Sequence, residues 1–235
     1  MSHQTPPPPP RLRPSSDPYF KSRYTWTQGR DRVWEVVCKY LRRFIPPDSA
    51  VLDLGAGYCA FINHVTAGEK AALDTSPDFV GHAGPGVVAH VGSCEDLGRF
   101  PDSRWGVVFA SNLFEHLSRE ATDRSLAEIL RVLTPTGRLI ILQPNFYYSY
   151  RNYFDDYTHQ QIFTHVGLAD LLTARGFSVE KVIPRFLPFS LKSRWPTWPW
   201  LVALYLRLPY RPFAKQMLIV ARPCAPQHPS DFGPF

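Results

Sequence analysis

Two glycines and two aspartates carry the first chemical signal. Val51-Leu52-Asp53-Leu54-Gly55-Ala56-Gly57 runs from an apolar stretch into a tight turn. Gly55 and Gly57 let backbone approach a ligand closely, and a helix opening there offers N–H groups without intrahelical partners. A plain strand-to-helix turn would look the same. The turn continues Tyr58-Cys59-Ala60, so the third glycine of a dinucleotide fingerprint is absent. Asp74 ends the next apolar run, 17 residues past Gly57. A carboxylate at that strand tip can accept hydrogen bonds from both hydroxyls of a ribose. It can equally cap a helix, and Asp74-Thr75-Ser76-Pro77 permits that too. Turn and acid together, at this spacing, favour the ribose.

A second cluster could do acid–base work. Asp155-Asp156-Tyr157-Thr158-His159 packs ionisable groups and aromatics into one loop, after Asn145-Phe146-Tyr147-Tyr148. The expectation is that His159, steered by Asp155 or Asp156, acts as a base or anchors an acceptor. A solvated acidic loop is the alternative. Glu115-His116 is ambiguous, and His116 is read as a hydrogen-bonded structural histidine at a helix start. His165, beside the N-cap candidate Thr164, is also read as structural. Cys38, Cys59, Cys94 and Cys224 form no C-x-x-C pair, and no Cys/His cluster has zinc spacing. Reduced thiols and no metal site are expected.

These residues need a scaffold. Residues 1–18 include five consecutive prolines and are read as a disordered tail. Trp34, Val37, Cys38, Leu41 and Ile45 share one face of a helix over about 24–44, which Pro46-Pro47 ends. Short apolar runs at 50–54, 71–73, 86–91, 106–110 and 138–142 then alternate with helical stretches at 58–67, 77–82, 114–117 and 121–132. That rhythm predicts an α/β fold, a mostly parallel sheet flanked by helices. Val-Val-Phe-Ala and Leu-Ile-Ile-Leu are continuously apolar, as strands buried on both faces are. A helix over 168–175, stopped by Gly176, and strands at 177–183 and 216–221 complete the count.

The chain resembles the class I S-adenosylmethionine (SAM)-dependent methyltransferases. Val51–Gly57 matches their first motif, with Asp74 as the ribose-binding acid. Val91-Gly92-Ser93-Cys94-Glu95-Asp96-Leu97 resembles their adenine-contacting turn. Residues 105–117, ending Ser111-Asn112-Leu113-Phe114-Glu115-His116-Leu117, resemble the fourth-strand motif, and 128–138 the turn before strand five. The resemblance implies a Rossmann-like, seven-stranded, mostly parallel sheet with an antiparallel last strand. It implies SAM as cofactor, held by Asp53, Gly55, Ala56, Gly57, Asp74, Thr75, Ser93, Cys94, Glu95, Asn112 and Leu113. Phe114 would border the donor, and Tyr19, Arg23, Tyr24 and Arg30 would close over it. Ser93 and Gly106 replace common aspartates and Thr136 a glycine, which weakens single assignments more than the class. More narrowly, residues 19–223 are similar to methyltransferases linked to bacterial polysaccharide and glycolipid synthesis, through Tyr58-Cys59, Pro144-Asn145-Phe146-Tyr147, Arg185-Phe186-Leu187-Pro188 and Ala214-Lys215-Gln216. That implies a small-molecule or glycan/lipid-linked acceptor, methylated at oxygen. A non-enzymatic SAM-binding regulator and an NAD-dependent oxidoreductase stay open as alternatives.

The domain is therefore expected over 19–223, with an insert at about 184–213 and a tail at 224–235. The formal charge is +6, and between Lys181 and Arg222 every charged residue is basic. Those cations interleave with Phe186, Phe189, Trp195, Trp198, Trp200, Tyr205, Tyr210 and Phe213. A membrane interface, single-stranded nucleic acid and a packed lid or dimer surface all fit this mix. Nucleic acid is the least favoured, because Pro144-Asn145-Phe146 lacks the Asn/Asp-Pro-Pro-Tyr/Phe signature of enzymes acting on nucleobases. No apolar stretch reaches the roughly 18 residues of a membrane span, and the start of the chain has no signal-peptide core. A cytoplasmic protein, peripheral at the membrane through the insert, is the expectation.

Overall fold

The computed structural model describes residues 28–188 and 198–224. Strands β1 (Ala50–Leu54), β2 (Glu69–Asp74), β3 (Val87–Val91), β4 (Trp105–Ser111), β5 (Leu133–Pro144), β6 (Phe177–Pro188) and β7 (Ala214–Pro223) form one sheet in the order β3-β2-β1-β4-β5-β7-β6. Neighbours from β3 to β5 pair in parallel, while β7 runs antiparallel to both β5 and β6. The expected seven strands and the single reversed one are both present.

Alternation along the strands builds two cores. Leu52, Leu54, Val108, Ala110, Leu139, Ile141, Met217 and Ile219 face one side. There they meet helix α3 (Arg119–Val132) and helix α5 (His165–Ala174). Val51, Val107, Phe109, Ile140, Leu142, Leu218 and Val220 face the other. Helix α1 (Gln28–Leu41), short helix α2 (Ala60–His64) and helix α6 (Pro199–Arg207) cover that side. Burial on both faces is why these strands read as continuous apolar runs. Helix α4 (Phe146–Ser149) is a single turn after β5.

Caps match the local sequence. Ser118 Oγ accepts the Ala121 N–H at 3.1 Å and opens α3. Thr164 Oγ1 accepts the Gly167 N–H at 3.0 Å and opens α5, as its position predicts. Gly176, at φ 86°, carries the chain out of α5.

Three boundaries moved. Helix α2 is shorter than 58–67, because the β-branched pair Val65-Thr66 follows it and Val65 is already extended. Strand β6 continues to Pro188, with Phe186 and Leu187 buried, so the connection to β7 begins after 188 rather than at 184. Within that connection, residues 199–207 form a helix whose Leu206 is buried in the core. Residues 189–197 of the insert, with Phe189, Lys192, Arg194 and Trp195, lie outside the described residues, as do the 1–18 and 225–235 tails.

Candidate active site

The strand order reverses between β1 and β4, since β1 continues to β2 on one side and β4 to β5 on the other. Ligands of open α/β sheets bind in the crevice at the carboxyl ends of such a pair. The turn after β1 and the turn after β4 meet there. Gly55, Ala56, Gly57, Asp53 and Asn112 line one crevice, together with Asp31, Trp34, Tyr58 and Ser111.

The turn conformation explains its composition. Gly55 has φ 66° and Gly57 φ 51°. A Cβ on Gly55 would meet Leu113 Cδ1 at 3.0 Å as well as strain the backbone. Cys59 takes φ 55°, ψ 23°, the left-handed region where glycine is the easy choice. A cysteine thus takes a glycine-like conformation at the start of α2. Its thiol is buried toward the Phe79 carbonyl.

Asp74 ties this turn to the tip of β2. Its Oδ2 accepts the Gly57 N–H and its Oδ1 the Ser76 N–H, both at 2.9 Å. The bond to a residue two positions on is an Asx-type turn. The residue capping the 3-10 turn Pro77–His82 is Ser76, so Asp74 does not act as its cap. Each carboxylate oxygen accepts more than one hydrogen bond, so these ties leave acceptor capacity at the strand tip. Thr75 is exposed next to it.

Asp53 is a different case. It alternates with Leu52 and Leu54 onto the face covered by α1 and α2, and it is 3% exposed. Burial pushes its carboxyl well above the ordinary range, and the charge of Asp74 adds to this. A backbone hydrogen bond from Ile62 opposes the shift. Nearby Cys38 is pushed up to about 12, again chiefly by burial. These thiols are inert core groups, and none of the described cysteines is paired.

The 91–97 turn offers less side-chain chemistry than its resemblance implies. Cys94 is buried and meets Ser125 Oγ at 3.3 Å. The Glu95 carboxylate pairs with Arg124. The Ser93 hydroxyl, accepting the Glu95 N–H at 3.2 Å, the exposed Asp96 carboxylate, accepting the Gly98 N–H at 3.0 Å, and the backbone remain at the turn. Arg131 fixes the segment from α3, donating to Leu97 O and Phe100 O at 3.0 Å each and pairing with Glu128 and Asp102. Glu128 in turn accepts the Leu97 N–H at 2.8 Å.

After β4, Asn112 takes φ 50°, and its side-chain oxygen accepts from Gln216 Nε2 at 2.8 Å. Phe114 does not border the crevice as expected. It is buried in the core, because the 3-10 turn Phe114–His116 folds it inward.

The loop holding His159 docks on that same 3-10 turn. Gln160 and Gln161 N–H groups donate to Glu115 O at 2.8 and 3.2 Å. The Gln161 amide donates to Leu117 O, Ser118 O and Thr122 Oγ1. Docking brings His159 beside His116, with ring centroids 4.8 Å apart. Tyr153 packs on the other side of His159 at 4.4 Å.

The loop's two acids also make local contacts. Asp155 is exposed and accepts from Asn152 at 3.1 Å. Asp156 Oδ1 accepts the Thr158 hydroxyl at 2.7 Å, and Thr158 Oγ1 lies 2.8 Å from His116 Nδ1. A hydroxyl that donates to Asp156 must accept from His116, so Nδ1 carries the proton and Nε2 the lone pair. Asp156 therefore orients His116, the histidine read as merely structural, through Thr158. Burial lowers the His116 pKa to about 4, the charge of His159 assisting against the opposing pull of Asp156, so the ring is neutral.

Glu115 completes the cluster. It is fully buried, and neither carboxylate oxygen has a well-formed hydrogen bond. Burial raises it to about 8, against the favourable field of its own backbone N–H. Sequence spacing missed this convergence because His159 comes from a distant loop. Glu115-His116 and His159 were legible as separate candidates, but their meeting was not.

Other expectations resolve as structure. Asn145 Nδ2 donates to Pro184 O at 2.9 Å and lies 3.0 Å from His165 Nδ1, while its Oδ1 accepts the Tyr147 and His165 N–H groups. Asn145 and His165 thus pin β5, α5 and β6 together. Tyr19, Arg23, Tyr24 and the Arg30 side chain lie outside the described residues. Asp31 and Trp34 of α1 occupy the crevice wall, a contribution the helical pattern did not single out.

Comparison with known proteins agrees with this arrangement. Residues 52–141 match the methyltransferase domain family. The chain is similar to the phosphoethanolamine N-methyltransferase of Plasmodium falciparum, 25% identical over 143 residues, 55% of this chain and 54% of that protein. It thus spans about half the length of the curated relative it matches. Among solved structures it resembles a SAM-dependent methyltransferase from Archaeoglobus fulgidus (TM-score 0.59, 20% identity, 80% of this chain and 94% of that one). A SAM-dependent methyltransferase from Mesorhizobium loti is similar at TM-score 0.58 (16% identity, 78% and 96% covered). A chain from the complex of the Haloferax volcanii Trm112 methyltransferase activator with a methyltransferase matches at TM-score 0.62 (19% identity, 84% and 95% covered). The sheet order and these neighbours give the chain the fold of class I SAM-dependent methyltransferases, and residues 52–141 carry the match to the methyltransferase domain.

Proposed function

We propose that this protein binds SAM in the β1/β4 crevice and transfers its methyl group to an acceptor hydroxyl. The acceptor binds between the turn after β4 and the 153–161 loop. The observation that carries the reading is Asp74, held at the strand tip by the glycine turn it serves. The residues fit the cofactor. The Gly55 backbone packs where a Cβ would press on Leu113, and Trp34 Nε1 is buried beside the crevice with no hydrogen-bond partner. Asp74 would take the ribose hydroxyls. Asp53, Ala56, Gly57, Asn112 and Leu113 would line the methionine end, and Ser93 with the 93–95 backbone the adenine.

SAM supplies a methyl already activated by a positive sulfur, so the protein's task is alignment. Methylation breaks the sulfur–carbon bond, forms an oxygen–carbon bond and releases the hydroxyl proton. An alcohol gains from a group that handles that proton. Glu115, His116 and His159 are the polar groups gathered on the acceptor side, with Asp156 and Thr158 as positioning residues. His159→Ala should lower turnover at least about tenfold while SAM affinity stays unchanged; unaltered turnover would refute the assignment.

A small-molecule or glycan/lipid-linked acceptor is supported by the exposed aromatics near the insert. Trp198 and Trp200 stack at 5.9 Å and stand more than half exposed, as do Tyr210 and Phe213. The Plasmodium relative favours a second reading, an amine acceptor such as phosphoethanolamine. Labelled SAM incubated with glycans, lipid-linked glycans and phosphoethanolamine separates the two. Label in an alkali-stable methyl ether supports the hydroxyl reading, and label in a methylamine replaces it.

A further inference from the structure

We infer that Glu115, His116 and His159 form a binding site for a divalent transition-metal ion, zinc before the others. Their ligand atoms lie within 4.8 Å of one another, the one such cluster among the described residues. Ordinary side-chain torsions close that spread to the roughly 3.3 Å edge of a tetrahedron with bonds of about 2.0–2.1 Å. Two imidazoles and one carboxylate suit zinc and its neighbours better than magnesium or calcium. Three protein ligands leave one coordination position for an oxygen of the acceptor.

Two independent observations point to a cation. Glu115 is wholly buried, yet neither of its oxygens accepts a well-formed hydrogen bond. Buried carboxylates are paired, hydrogen-bonded or metal-bound, and among the described residues no Arg or Lys forms an ion pair with this one. The second observation is the chain Asp156–Thr158–His116, which protonates Nδ1 and presents the Nε2 lone pair. A carboxylate acting on the far nitrogen of an imidazole is the outer support that metal-binding histidines generally have.

The site sits one turn beyond Asn112-Leu113, so a metal there would hold the acceptor beside the methyl. A metal-bound hydroxyl loses its proton to water more readily. The resulting oxygen takes the methyl carbon, and the sulfur–carbon electron pair stays on sulfur, giving a neutral thioether. This catalytic role rests on the proposed methyl transfer; metal binding itself does not.

The test uses the full chain, stripped with a chelator, and zinc alone, without SAM or acceptor. Calorimetry and elemental analysis after gel filtration should show one tightly held equivalent. Glu115→Gln and His159→Asn should abolish that equivalent, Thr158→Ala should weaken it roughly 10–100-fold, and His90→Gln should leave it intact. Should either ligand variant fail to fold, cobalt added to the stripped wild type decides, through the visible ligand-field bands of a four-coordinate site. No retained zinc in the wild type, zinc uptake unchanged in folded ligand variants, or no cobalt bands would overturn the inference. SAM titrated into the stripped protein is a separate readout, and its failure would count against the proposed function alone.

Discussion

Asp74 and Asp53 stand at the same crevice and are held differently. Asp74 is half-buried and accepts two backbone N–H groups at the strand tip. Asp53 is buried on the α1/α2 face and favours its neutral form. Replacing Asp74 by Ala removes the acceptor of both ties and of the ribose. It should weaken SAM binding by roughly 1.5–3 kcal/mol, about 10–100-fold, by calorimetry. Asp53→Asn predicts a pH effect instead. A carboxyl whose folded pKa is raised gives stability that is complete below its unfolded pKa and declines as pH rises toward the folded value. The variant lacks that decline, so its melting temperature should gain on the wild type as pH rises above the ordinary carboxylate range, about pH 4. A constant difference above that pH would contradict the assignment. Both residues were legible in the sequence as site candidates. Their difference was not, because it depends on which face of β1 a side chain occupies and on what helix covers it.

At the scale of elements, the loop carrying His159 owes its position to Gln161. Its amide reaches two carbonyls and one hydroxyl across the gap to the β4–α3 connection. Gln161→Ala removes a donor from each of those part-buried acceptors and should destabilise the protein by about 1–3 kcal/mol. Turnover should fall with it while SAM affinity holds, which a thermal melt and a binding titration check together. Strands and helices were readable because their periodicity is local; β-strand runs at 50–54 and 106–110 differ from the structure by only a residue or so at each end. The Glu115–His116–His159 convergence was not, since it joins a strand exit to a loop across tertiary space. Cys59 shows the opposite failure. Its type argues against a glycine-like turn, yet the structure holds it at φ 55°.

Over the whole molecule, the switch in strand order forms the β1/β4 crevice, and the β6–β7 connection carries the exposed Trp198 and Trp200. The excess positive charge seen in sequence is partly spent internally. Arg211 is buried, donating to Leu206 O at 2.7 Å and lying 5.3 Å from the Phe186 ring. Lys215 donates to Asn152, and Arg222 pairs with Glu180. Arg185 sits over Tyr148 and Tyr210 at 4.6 and 4.7 Å. Arg185, Arg211, Lys215 and Arg222 are thus engaged, so flotation with phosphatidylglycerol vesicles should depend on the exposed Trp198 and Trp200 and not on salt alone. Loss of flotation in salt alone, with a Trp198→Ala/Trp200→Ala double variant unaffected, would contradict that. No described helix is long and apolar enough to cross a membrane.

The most direct measurement is a calorimetric titration of the wild type and Asp74→Ala with SAM and with NAD. The account predicts one SAM site in the wild type, a roughly 10–100-fold weaker site in the variant, and no comparable binding of NAD. At SAM about 100-fold above its dissociation constant, the wild type should also gain about 2.7 kcal/mol, a rise of roughly 5–10 °C in melting temperature. Absence of SAM binding, equal binding by the folded Asp74→Ala variant, or a preference for NAD would contradict it.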